Sequence, residues 1–146
     1  MTNERIVSRR RNSRSTWSLN LTEPVSSNYY PVVSRISLAD QTNSVAEERR
    51  QVWLMTDRAQ GGSSLQSGEL ELMLHRRLFN DDAFGVGEAL NETAYGGGLV
   101  VRGKHSLLPC LDTAEVCDVQ SRLVAEASLM KPVVLLGNSC DVSTSG

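Results

Sequence analysis

Two glycine-rich stretches cut the middle of this chain into short pieces: RAQGGSSLQSGE (residues 58–69) and NDDAFGVGEALNETAYGGG (residues 80–98). Neither can extend a sheet well, so both read as loops. A loop as long as the second, within one compact unit, is often functional. Gly61 and Gly62 would permit positive φ and close approach of another backbone. The apolar residues are left in short runs between these breaks, the pattern of a mainly β chain.

Residues 28–40 (NYYPVVSRISLAD) begin extended, because Pro31 pushes Tyr30 toward β. Val32, Ser34, Ile36 and Leu38 then alternate with a more polar set, which predicts a half-buried strand. Residues 41–48 read as a polar loop, and residues 50–57 (RQVWLMTD) as a short strand buried on both faces. In ELELMLHRRL, residues 69–78, composition favours helix, but Leu70, Leu72 and Leu74 share one strand face, and the alternation predicts a strand. Residues 99–108 predict another. Asp112 and Glu115 form a helix start signal, and Val116, Val119, Leu123 and Ala127 repeat at close to helical spacing. That predicts one helix near 113–129, stopped by Pro132, with Val133 to Leu136 as a last short strand. The expectation is four or five strands, one helix and two long loops: mainly β, with too few strands to close a large sandwich. Residues 1–20 read as a basic tail or linker, 21–137 as a partial β-sandwich domain, and 138–146 as a disordered tail.

Hydrophobic residues make up 40% and charged residues 22% of the 146, enough for a globular unit with a modest core. Residues 1–14 hold five arginines against one glutamate, a net +4 on a chain whose total is −2. An Arg-rich tail on an acidic body can bind nucleic acid or a membrane surface. No aromatic residue interleaves these arginines, so a solvated connecting segment is the plainer reading, and neither partner is expected. No apolar run reaches 18 residues, and no apolar h-region opens the chain. As written, the sequence would stay in the cytosol.

Cys110, Cys117 and Cys140 include no C-x-x-C and are odd in number. They point to neither a disulfide framework nor a zinc ribbon. Buried or free thiols are the plain reading, with one Cys110–Cys117 bridge open to a secreted chain. His75 and His105 lie thirty residues apart with no ligand spacing around them, so no metal site is expected in this chain. No G-x-S-x-G elbow supports a serine nucleophile, and QGGSSL lacks the lysine of a P-loop. Asp81 and Asp82 are the most suggestive pair. A retaining glycosidase needs two carboxyls about 5–5.5 Å apart across one bond. Neighbours on one loop seldom point that way, so no catalytic residue is assigned; a turn capping its own backbone is the plain alternative. Asn20 and Asn91 each open an N-x-T sequon in a predicted loop and are glycosylation candidates.

The order of words along the chain goes further. Residues 16–34 (TWSLNLTEPVSSNYYPVVS), 54–82 (LMTDRAQGGSSLQSGELELMLHRRLFNDD) and 85–93 (GVGEALNET) resemble one continuous stretch of lysosomal-type α-mannosidases, glycoside hydrolase family 38. The resemblance spans roughly residues 3–136. It implies the C-terminal β-rich region of such an enzyme, part of a galactose-mutarotase-like supersandwich packed on an upstream catalytic domain. That domain would supply the aspartate nucleophile, the acid/base aspartate and the ligands of a zinc ion, leaving this chain inactive alone. The implied substrate is the terminal α-D-mannose of oligomannose and N-glycan chains, and the implied location of the parent enzyme is the lysosome. The resemblance also implies that the D-D loop, with Asp81, Asp82, Phe84 and Gly85, borders the mannose pocket. Arg76, Arg77, Gly61 and Gly62 would support it. The family often carries an arginine where this chain has Phe84, and residues 41–50 form a longer polar insert than the family's turn. A free-standing carbohydrate-binding β-sandwich module is the alternative, with Phe84 or Tyr95 stacking on sugar. If the chain is a slice of a larger protein, part of its apolar surface should be meant for a neighbour.

Overall fold

A computed structural model describes residues 6–40 and 48–136. The predicted loop at 41–48, except Glu48, and the predicted tail at 138–146 lie outside the described residues, as do residues 1–5. The architecture is mainly β: the described residues form eight strands in three antiparallel sheets with one α-helix. It is a partial sandwich, as the sequence suggested.

The central sheet has β3 (Arg49–Thr56) flanked by β2 (Arg35–Ala39) and β8 (His105–Asp112). β3 and β8 pair along their full length, from Arg49 opposite Asp112 to Thr56 opposite His105. Alternation then sorts the side chains. Gln51, Trp53 and Met55 are buried on one face, while Arg50 and Val52 are exposed on the other. The sequence had β3 buried on both faces; it is buried along the α1 face, while on the other face burial is confined to the end at Leu54 and Thr56. That helix, α1 (Ala114–Leu129), lays Ala125 on Trp53 and Met55, with Leu108 of β8 completing the cluster.

The helix has the predicted bounds but not the implied orientation. Its buried residues are Ala114, Cys117, Ser121 and Ala125, whereas Val116, Val119 and Leu123 are exposed. A disulfide explains the rotation. Cys117 is bonded to Cys110, with Cα atoms 5.8 Å apart, so the bridge that the sequence left open beside the plainer reading of buried or free thiols is the one formed. Cys110 lies on the Trp53 face of β8, and the bond turns the small residues of α1 onto the sheet. Asp112 Oδ1 accepts the N–H of Thr113, and Glu115 sits in the first turn, where the helix dipole favours a carboxylate.

A second sheet holds β1 (Tyr30–Val32), β4 (Gln60–Ser63) and β5 (Glu71–Met73), with β4 in the middle. β4 falls inside the stretch expected to be a loop. Its glycines make it possible as a strand: a Cβ on Gly62 would lie 2.5 Å from Val32 Cγ2, 3.1 Å from Leu72 Cδ2 and 3.3 Å from Ile36 Cδ1. Close approach is thus used at Gly62, but positive φ is not. Ile36 belongs to β2 on the face away from α1, since it pairs with Leu54, so the second sheet leans on that face. Pro31 and Pro109 sit on the outer strands β1 and β8, where a missing N–H is tolerated.

Other boundaries follow from partner length. The 69–78 strand shrinks to β5 because β4 offers only four residues to pair with. The 99–108 strand begins only at His105, where β3 first faces it. The expected strand at Val133–Leu136 has no neighbour among the described residues; these four side chains are 78–96% exposed and their backbone is irregular. Residues 6–20 carry no helix or strand. They are nonetheless tied down: Asn12 N–H donates to Asn28 Oδ1 (2.8 Å), and Arg14 stacks over Tyr30 and donates to its hydroxyl.

Candidate functional site

Between β5 and β8 the chain makes a long excursion, residues 74–104, which contains every residue of the D-D loop. Its base is closed by one side chain. Gln60 Nε2 donates to the carbonyl of Met73 (3.2 Å), and Gln60 Oε1 meets His105 Nε2 (2.6 Å). Farther out, Leu78 N–H donates to the Leu90 carbonyl (2.9 Å) and Arg77 Nε to Asn91 Oδ1 (2.7 Å). β6 (Thr93–Ala94) and β7 (Gly97–Gly98) form a small hairpin. Tyr95 and Gly96 at its tip have φ of 54° and 80°, the left-handed pair of a type I′ turn. Arg77 also lies over the Phe79 ring at 5.3 Å and fills the space beside Gly98.

The two aspartates act on their own loop. Asp81 Oδ2 accepts the N–H of Ala83 (2.8 Å), and Asp82 Oδ1 accepts that of Phe84 (3.0 Å). These are consecutive Asx turns. They hold Ala83 at φ 60°, a left-handed conformation that costs an L-residue roughly 1–2 kcal/mol. Phe84 emerges at the tip, 93% exposed, followed by Gly85 and Gly87 at positive φ. Arg77 braces the excursion through Asn91 and Phe79, not through either aspartate, and Arg76 lines a shallow pocket with His75, Leu90 and Glu92. Gly61 and Gly62 belong to β4, facing Tyr29, Val32 and Leu72, so they build the second sheet. Asn20 and Asn91 are both exposed. Among the described residues, no three His, Cys, Asp or Glu side chains converge where a metal could sit.

Sequence reasoning missed a polar junction at the other end of the excursion. Asp57 accepts from Arg58 Nε (3.0 Å), Arg58 Nη2 (3.2 Å) and the Lys104 N–H (2.8 Å), and Arg58 also donates to the Arg102 carbonyl. The Arg58 guanidinium, then the Lys104 amide, hold the Asp57 carboxyl down at about 2. A depressed carboxylate contributes stability that is fully present above its unfolded value and lost as pH falls through the folded one. The junction should therefore stay intact in mild acid and loosen only between about pH 4 and pH 2. Replacing Asp57 by asparagine should remove that acid limb. Amide exchange of Lys104 across this window checks it, and an identical acid response in wild type and D57N would refute it. Only the Asp57-Arg58 adjacency was visible in the sequence, because Lys104 lies 47 residues away.

Comparison with known proteins decides the family. The model of the glycosyl hydrolases family 38 C-terminal domain matches residues 3–84. The chain belongs to glycosyl hydrolase family 38. It is 53% identical over 131 residues to the lysosomal alpha-mannosidase of Bos taurus and 50% identical over 131 residues to that of Homo sapiens. It is 40% identical over 108 residues to the alpha-mannosidase of Canavalia ensiformis. The first two alignments cover 90% of this chain but 12% of each relative, and the third covers 70% of the chain and 10% of the relative. The family 38 match begins at residue 3 and ends on the D-D loop, so it takes in the arginine-rich segment along with β1 to β5.

Proposed function

We propose that these residues serve as the loop-bearing β-region of an α-mannosidase that removes terminal α-D-mannose from oligomannose and N-glycan chains in the lysosome. The nucleophile, the acid/base and the zinc ligands would come from polypeptide outside this chain. The observation that carries the reading is the paired Asx turn. It engages one oxygen each of Asp81 and Asp82 with backbone amides of their own loop and projects Phe84, which supports a rim-shaping role for these aspartates. Phe84 would offer an apolar ring to a sugar face, with Gly85 and Gly87 setting the path of the rim. The Cys110–Cys117 bridge and the exposed sequon asparagines support passage through an oxidising, glycosylating compartment. The 146-residue chain is expected to release no 4-nitrophenol from the aryl α-mannoside at acid pH with zinc, and turnover would overturn the reading. The outward rings of Phe84 and Tyr95 favour one second reading, a free-standing sugar-binding module. Saturable binding of mannose by the same chain in calorimetry would favour it.

A further inference from the structure

Arg9, Arg10, Arg11 and Arg14 fall within one short stretch, SRRRNSRS (residues 8–15), whose other side chains are serines and an asparagine. Two clamps fix it to the residues around β1. Asn12 N–H donates to Oδ1 of the buried Asn28 (2.8 Å), and Asn28 Nδ2 donates back to Asn12 Oδ1 (2.7 Å). Arg14 donates to the Ser27 carbonyl and the Tyr30 hydroxyl, and its guanidinium lies 4.8 Å from the Tyr30 ring centroid. Between the clamped residues and the run before them the chain turns at Asn12, φ 54°. Arg9 then lies over the same ring, also at 4.8 Å. Arg11 spreads its fork over two hydroxyls, Ser67 Oγ at 2.9 Å and Ser64 Oγ at 3.4 Å. Arg9, Arg10 and Arg11 are all exposed.

Each of these partners is neutral. A ring face, hydroxyls and a carbonyl hold the guanidiniums without cancelling their charge, so like charges are gathered with nothing to offset their repulsion. Among the described residues none of the four arginines meets a carboxylate. Glu71, on β5 of the same sheet, is taken by the Tyr29 hydroxyl. The clamps therefore pre-organise a positive surface with donors to spare: Arg9 keeps its whole fork, Arg10 stands clear, and the hydroxyl partners of Arg11 yield to a charged acceptor. We propose that Arg9, Arg10 and Arg11 form a binding site for a sulfated polysaccharide, with Asn12, Arg14 and Tyr30 as positioning residues. The planar guanidinium fork matches two oxygens of one sulfate group, as it does those of a phosphate. An arginine-rich stretch of this length is a signature of sites for heparin-like or nucleic polyanions. Two observations select the sulfated glycan. The Cys110–Cys117 bridge and the exposed sequon asparagines fit a compartment that builds glycans and holds no nucleic acid. An anionic membrane calls for apolar side chains beside the basic ones, and Ser8 to Ser15 holds none. The choice of glycan thus rests on the oxidising, glycosylating compartment proposed above, whereas the charged site does not. None of these residues belongs to the 74–104 excursion, so the site is additional to any contact the D-D loop makes.

The test is calorimetric titration of the 146-residue chain with a heparin octasaccharide, and in parallel with duplex DNA and phosphatidylserine vesicles. Saturable binding of the octasaccharide is expected, tighter than that of the other two and weakening as salt rises. Arg9→Gln with Arg10→Gln and Arg11→Gln should weaken it by roughly 10-fold or more. Arg50→Gln with Arg102→Gln and Lys131→Gln takes the same charge from elsewhere and should leave the affinity within about twofold. Tyr30→Leu keeps every charge but removes the ring under Arg9 and Arg14, and should also weaken binding. Tyr30→Phe, which restores the ring, should recover most of it. Circular dichroism melts of all five chains establish that each is folded. Equal losses in the two charge-matched triple variants mean attraction to net charge alone and overturn the site. Absence of binding, or indifference to the Arg9–Arg11 substitutions, overturns it as well. Duplex DNA or vesicles bound as tightly as the octasaccharide overturn the assignment to a sulfated glycan. All of these outcomes are read without turnover of the aryl α-mannoside, so the mannosidase reading stands or fails separately.

Discussion

Truncating Trp53 to alanine is expected to lower the free energy of unfolding by about 3–5 kcal/mol. A small domain has roughly 5–15 kcal/mol in total, so the variant should be largely unfolded or close to it at ambient temperature. The size of the effect follows from position. Trp53 is 1% exposed at the centre of the longest strand pair, opposite Leu108, with Met55 two residues along and Ala125 above. No other buried side chain of the described core is as large, and the small residues of α1 cannot swing in to fill the void. Trp53→Phe gives an internal control. The indole Nε1 is buried with no hydrogen-bond acceptor among the described residues, so phenylalanine forfeits volume but no hydrogen bond. Its cost should stay below about 1.5 kcal/mol. Urea unfolding followed by circular dichroism measures both. Equal losses for the two variants would mean that the cavity is not what matters there.

Removing the disulfide should have the second largest effect. Cys110 and Cys117 are seven residues apart, so the bridge closes a short loop, for which chain entropy suggests about 2.5 kcal/mol. The double variant Cys110→Ser with Cys117→Ser should lose about that much. Reductant should bring wild type down to the variant and leave the variant unmoved. A wild-type unfolding curve insensitive to reductant would show that the bridge contributes nothing. Beyond stability, the bond decides which side of α1 faces the sheet. Its loss is therefore expected to increase exchange of amides in α1 before those of β3, which keeps both neighbouring strands.

The contrast between legible and illegible features is physical. The helix bounds were legible because their signals are local: the Asp112–Glu115 start and the Pro132 stop act within a turn of the ends. The face of the helix was not, because a covalent bond to another element outweighs an apolar stripe. Alternation located β2, β3, β5 and β8, but the one strand expected over 28–40 is divided between two sheets as β1 and β2, and strand ends were set by partner length, which no single run contains. β4 was read as a loop because glycine is a poor strand former by itself, yet Gly62 is in a strand through what it lets approach. At the candidate site, the plain alternative for Asp81 and Asp82 could be read from their position beside a glycine loop. The Asp57–Lys104 and Gln60–His105 contacts join residues at least 45 apart and left no trace in spacing.

The clasp made by Gln60 has a consequence for how this region varies. One amide touches Met73 with its nitrogen and His105 with its oxygen, so the chain leaves and re-enters the sheets at nearly the same place. Everything between is topologically a cassette. Its length and sequence can drift, gain a glycan, or be exchanged for another rim without asking the strands beneath to change register. A scaffold of that kind lets the excursion change while the framework beneath it is inherited intact.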